Sequence, residues 1–361
     1  MLLFLLTLLI ISFLSIIWFF KFRSGEHTYL AAPILFAKTD VGQTADYNEN
    51  RNAYFGDLHI HTGWSFDAFI NNVRTTPDDA YNFGKGQPID HVSGKKIQIK
   101  RPLDFMAVTD HDKYMGMLVQ MLDKDNPLSQ SSLAEAVTSL DPKVSQQSIL
   151  KLLFSSTMSW PYEELVQQEK MKNVWQRMVQ AADHHYEPGK FTTFPAYEWS
   201  AGKGNWLSSR RESQPLHRNV IFKGGKISGV PYSGFNSRDP ENLWAWMDKE
   251  RAKDIDLLAI PHNANMSNGV MYNTFNGNPI TLEYAATRSR NEPVNEVVQI
   301  KGQSMAHPVL SPNDEFADFE LFHYTISQKR PFSQPKNSYA RDALKEGLAY
   351  EQSLGTNPFK F

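Results

Sequence analysis

From about residue 51 the chain alternates between two kinds of pattern, one with a two-residue period and one with a helical period. Strand-like runs lie at 54–61, 104–110, 192–198, 218–222, 256–262 and 296–301. Helical stretches separate them. The clearest covers 162–185, where Leu165, Val166, Val174, Trp175, Met178, Val179 and Ala182 form one apolar stripe. Residues 241–251 and 339–354 are further predicted helices, and Gly355 stands where a C-cap glycine would stop the second. Alternating β and α elements predict an α/β fold with a largely parallel sheet.

The first strand carries the densest chemistry. In Asp57-Leu58-His59-Ile60-His61, alternation puts Asp57, His59 and His61 on one face and Leu58 and Ile60 on the other. Imidazoles at i and i+2 beside a carboxylate form a small chelate suited to a borderline divalent ion such as Zn, Mn or Fe. Two surface histidines would give the same pattern, so the pair alone decides nothing. A second cluster, Thr109-Asp110-His111-Asp112, directly follows the apolar run Phe105–Val108. Glu198 lies between Tyr197 and Trp199, where a buried carboxylate is costly unless paired or metal-bound. His61, His111, Glu198 and His262 all fall at the ends of predicted strands, the rim on which parallel barrels assemble chemistry. His184 and His185 close an amphipathic helix and read as solvated.

Composition narrows the choices. A net charge of −2 with no Lys/Arg run gives no electrostatic footprint for nucleic acid. The absence of cysteine leaves His, Asp and Glu as the available metal donors.

The stretch Gly56-Asp57-Leu58-His59-Ile60-His61-Thr62, then Ser65, Asp67-Ala68 and Thr109-Asp110-His111, resembles the opening motifs of the PHP (polymerase and histidinol phosphatase) superfamily. The likeness continues in Tyr197-Glu198-Trp199, His217-Arg218-Asn219-Val220-Ile221-Phe222, Pro261-His262-Asn263 and residues 288–318. Those extended forms look most like the exported domain-of-unknown-function family 3604. The resemblance implies a distorted (β/α)7 barrel and a metal-dependent hydrolase of phosphate esters, with two or three Zn, Mn or Fe ions. It implies His59, His61, His111, Glu198, His217 and His262 as metal ligands. Catalytic roles would fall to Asp67, Glu198 and Arg288; Arg288, Arg290 and Glu292 lie in the family-like stretch, where an Arg fork suits a phosphate or carboxylate and a salt-bridged loop is the alternative. Asp57 would orient a histidine by accepting its ring N–H, and Asp110 and Asp112 would stand behind the ligands or in solvent.

Both ends of the chain carry expectations of their own. Residues 2–20 are apolar apart from Thr7, Ser12 and Ser15, about enough to cross a core of roughly 30 Å. Residues 1–23 therefore read as a membrane anchor or signal peptide, 24–50 as a linker and 51–361 as the hydrolase domain. The expected location is membrane-anchored, periplasmic or secreted. The chain stops at Asn357-Pro358-Phe359-Lys360-Phe361, apparently on entry to another strand, whereas relatives continue to an Asp-x-His pair. It thus reads as a member lacking its last strand, with a non-catalytic remnant that keeps partial metal binding as the alternative.

Overall fold

The structure, a computed structural model, describes residues 33–35, 49, 51–141, 144, 151–152, 155–156, 160–205, 212–322 and 333–361. The apolar segment 2–20 and nearly all of the linker lie outside these residues. Among the described residues no helix is long and apolar enough to cross a membrane. Within the segment read as a linker, Ile34–Leu35 pairs antiparallel with Lys226–Ile227, and Ile34 packs on the main core.

Five strands organise the molecule: β1 (Gly56–Ile60), β2 (Phe105–Val108), β3 (Ala196–Trp199), β4 (Arg218–Phe222) and β5 (Leu257–Pro261). β1 and β2 are parallel, and β2 continues to a parallel partner at Thr192–Thr193. β4 lies between β3 and β5 and runs antiparallel to both, with Asn219 opposite Glu198 on one side and Ile260 on the other. A parallel bridge between His111 and Glu198 joins the two sheets.

The fold is therefore mixed α/β, and the expectation of a largely parallel sheet is corrected. After β3 the chain turns back through a hairpin of Gly202–Asn205 and Glu212–Pro215. Because the two arms of that hairpin pair antiparallel, the next strand returns antiparallel to β3.

Helices α1 (Pro77–Gly84), α2 (Gln168–His185), α3 (Pro240–Arg251), α4 (Leu282–Asn291) and α5 (Ala340–Leu354) surround these strands. α2 buries Val174, Trp175, Met178, Val179 and Ala182, the expected stripe, and Trp175 Nε1 donates to Ser228 O at 2.7 Å. The helix starts at Gln168 because Leu165 belongs to a separate short 3-10 turn and a separate cluster. Gly355 caps α5 in the left-handed region at φ 78°. His185 is buried against α1, with Nε2 3.0 Å from Asp78 Oδ1 and its ring stacked on Tyr81, so it is not the solvated residue its position suggested.

Period-two alternation separates two cores. Tyr197, Trp199, Val220, Phe222, Leu257 and Ala259 point into the large helix-facing core. Ala196, Ile221 and Ile260 point the other way and meet Ala107 and Leu58, so all five strands contribute to one apolar cluster. Farther along the same faces come Glu198 and His262, which places the polar site directly beyond that apolar plug.

Of two further expected strands, one shortens and the other does not form. The run 296–301 shrinks to Val298–Gln299, paired with Gly302–Gln303, and Ile300 is fully exposed at the tip. Residues 357–361 make a turn in which Phe359 is buried, 5.6 Å from the Tyr272 ring. That aromatic contact holds the segment against the body instead of extending it.

Phe222 is fully buried in the main core and Ile300 is fully exposed. Phe222→Ala should lower unfolding stability by about 3–5 kcal/mol. Ile300→Ser should stay within about 0.5 kcal/mol. Chemical denaturation followed by circular dichroism measures both.

Candidate metal centre

The site is built around one carboxylate. Glu198, on β3, is 1% exposed and takes five imidazoles around its two oxygens. Oε2 lies 2.7 Å from His61 Nε2, 3.5 Å from His59 Nε2 and 3.5 Å from His111 Nδ1. Oε1 lies 2.5 Å from His217 Nδ1 and 3.0 Å from His262 Nε2. The strands explain the convergence. β1, β2 and β5 deliver His59 and His61, His111 and His262 at or just beyond their C-terminal ends. β4 delivers His217 just before its N-terminal end, and because it runs antiparallel, that end lies on the same rim.

Acidic partners orient the rings from behind. His59 Nδ1 sits 2.7 Å from Glu296 Oε2. His61 Nδ1 is 3.1 Å from Asp67 Oδ2, which also lies 3.5 Å from His111 Nε2. Ser65 Oγ donates to Asp67 Oδ1 at 2.6 Å, and Ser200 Oγ is hydrogen-bonded to His111 Nδ1. Asp57 is exposed and accepts from the backbone N–H of His59, so it turns the strand and not a ring. Between Asp57 and Ile60 the β1–β2 register shifts, which breaks the strict alternation expected for this strand.

Asp110 and Asp112 are buried and tie the loops that carry the site. Asp110 accepts from Thr62 N at 2.6 Å and Thr62 Oγ1 at 2.7 Å, and burial pushes it up to about 6. Asp112 accepts from Ser200 N at 2.6 Å, Gly234 N at 2.7 Å and the Ser233 hydroxyl. Gly234 is required here, since a Cβ would collide with the Ser200 carbonyl.

Electrostatics divides the histidines. Burial lowers His59, but hydrogen bonds to Glu198 and Glu296 outweigh it and hold the ring at about 9. His61 is likewise raised, because burial is outweighed by Asp67 and Glu198. For His217 and His262 burial dominates, neighbouring imidazoles add to it, and Glu198 does not offset them, so the two rings fall to about 3 and about 4. Burial favours the neutral form of Glu198, yet the surrounding imidazoles, His111 first among them, keep it well below the usual carboxylate range.

As a pure hydrogen-bond network the arrangement is incomplete: His262 Nδ1 and Glu296 Oε1 are buried without partners. Among the described residues two groups have the geometry to hold an ion, His59–Glu198–His262 and His61–His111–Glu198, and Glu198 belongs to both. All-nitrogen and oxygen donors of this kind fit Zn, Mn or Fe.

Residues 48–361 match the family described as Protein of unknown function (DUF3604). The chain belongs to that family. No curated protein and no solved structure matches it.

In this DUF3604 member the structure brings His59, His61, Asp67, His111, Glu198, His217 and His262 together. It does not bring Arg288 to them. Arg288 is buried on α4, with Nη2 3.1 Å from Glu292 Oε2 and its guanidinium 4.9 Å from the Phe359 ring centroid. Glu292 also accepts from Arg218 Nε at 2.9 Å and Trp244 Nε1 at 2.8 Å, so the expected phosphate fork is a buried ion pair. Glu296 was not anticipated. Its signal was a lone acid next to Val297-Val298, the same kind of context that drew attention to Glu198. Lys113, which lines the adjacent cavity and is lowered by burial to about 8, carried no sequence signal beyond its nearness to His111.

Two predictions follow from the shared geometry. His59→Ala or His262→Ala should cost one bound ion, and His111→Ala the other, each with a loss of affinity greater than the roughly 10–100-fold that follows removal of a group orienting a ligand from behind. Equilibrium dialysis with elemental analysis reads the stoichiometry. Because His59 in the ion-free cluster is held at about 9, it is protonated at neutral pH, and an ion must displace that proton. Uptake should therefore release protons and tighten as pH rises from 6 toward 9. Titration calorimetry in buffers of different ionisation enthalpy measures the release.

Proposed function

We propose that this chain is a PHP-type metal-dependent hydrolase of phosphate esters. The observation that carries the reading is Glu198, a buried carboxylate common to two histidine clusters. A carboxylate shared by two such clusters would hold two cations, a donor set that suits in-line displacement at phosphorus. When bound, such ions lower the pKa of water and offset charge on the phosphoryl oxygens.

The chain's own residues supply the rest. His59, His61, His111, His217 and His262 would hold the ions with Glu198, while Glu296 and Asp67 fix the ring orientations. Asp67 is held well below the usual carboxylate range because His111 and His61 outweigh the burial that opposes it, so it stays ionised and fixes those two rings beside the cavity. The apolar plug of Leu58, Ala107, Ala196, Ile221 and Ile260 closes the floor and keeps water out from below. One inward residue from each of five strands also supports the barrel reading, as does the ordered series of PHP-like motifs.

The test uses protein stripped with a chelator and reloaded with Zn, Mn or Fe, assayed on phosphomonoesters and phosphodiesters. Reloading should restore hydrolysis and chelation should abolish it. Two ions bound per chain with no turnover of either class would overturn the reading.

A further inference from the structure

The cavity over the Glu198 site, lined in part by His61, Asp67, His111, Glu198 and His217, has a volume of about 220 Å³, below the roughly 300–1,000 Å³ of sites that hold drug-sized ligands. It suits a small molecule. Three side chains on its walls, Asn263, Lys113 and Lys301, lie outside both ion-holding groups.

Asn263 follows His262 in the left-handed region at φ 63°, and its side chain makes no capping bond to the 3-10 turn it precedes. The residue is 3% exposed, and its Oδ1 is buried with no hydrogen-bond partner. Such an acceptor at a cavity wall awaits a donor. Lys113 is 1% exposed, donates to Ser156 O and lies 5.1 Å from the Phe235 ring centroid. Its stem runs past Gly234, where a Cβ would come within 2.8 Å of Lys113 Cε. Lys301 adds a second ammonium side chain to the lining, and Phe66, Ala201 and Pro215 supply apolar wall.

Resting on the hydrolase reading, we propose that these three residues select the substrate, a small polyol phosphate ester. Lys113 and Lys301 hold its anionic part, and Asn263 Oδ1 accepts a hydrogen bond from a hydroxyl on its alcohol portion. A carbonyl oxygen only accepts, so the group facing it must donate.

The experiment measures binding, not turnover, on the full chain loaded with metal. Calorimetry compares two non-hydrolysable probes, 3,4-dihydroxybutylphosphonate and butylphosphonate. The native protein should prefer the dihydroxy probe by roughly tenfold, the worth of one neutral hydrogen bond. Asn263→Gly, which takes the left-handed backbone without strain, should abolish that preference and leave butylphosphonate binding and metal content unchanged. Asn263→Asp keeps an acceptor and should keep the preference, and Lys301→Ala should weaken both probes alike. Equal affinities in the native protein, or a preference that survives Asn263→Gly, would overturn the assignment. Loss of metal from Asn263→Gly would also overturn it, by making Asn263 part of the ion site. If neither probe binds the two-ion protein, it is the phosphate-ester reading that fails, and the selection of hydroxyls falls with it.

Discussion

A carboxylate almost wholly removed from water, with five imidazoles around it, is the constraint on which the rest of this molecule depends. Burying an ionised group costs several kcal/mol unless matching charge surrounds it. Glu198 meets that charge in His59 and His61, both raised, while His111, His217 and His262 complete the ring of imidazoles that reaches it from four different strands. Neither the imidazoles nor the carboxylate is well placed alone. Together they define a centre that lends itself to divalent cations, because two groups of ligands share one residue.

The backbone serves that centre through direction and register. β4 pairs antiparallel on both sides, so residue 217 reaches the rim from the opposite end of its strand to residues 61, 111 and 262. Asn219 sits opposite Glu198 in that register and donates to Leu58 O at 3.0 Å, which ties β4 to β1 across the site. Behind the ligands, Asp110 and Asp112 accept backbone and hydroxyl donors from neighbouring loops. These buried acids hold the loops instead of touching an ion. The Arg218–Glu292–Arg288 network anchors the strand that follows His217 and ends against Phe359.

Much of this was legible in the chain. The helical stripe from Val174 to Ala182, the C-cap at Gly355 and the strand Arg218–Phe222 follow from local periodicity and were read correctly, whereas the helix starts at Gln168 and not at residue 162. So was the clustering of the histidines with Glu198, because residue types with few bland uses stood at strand ends. Strand direction was not legible, since a two-residue period is the same in parallel and antiparallel pairs. Arg288 and Glu292 could not be told from pocket residues, because a buried ion pair and a phosphate fork use the same side chains. Glu296 escaped because its partner, His59, is 237 residues away in sequence. His185 looked solvated only because its partner Asp78 belongs to a distant helix.

The most direct measurement of the central claim is the metal content of Glu198→Ala against the native protein, after loading with Zn or Mn and removal of free ion. Circular dichroism of the same samples verifies the fold. If one carboxylate serves both clusters, the variant loses both ions together while the native protein holds two per chain. A folded Glu198→Ala protein that kept either ion at full occupancy would contradict the account.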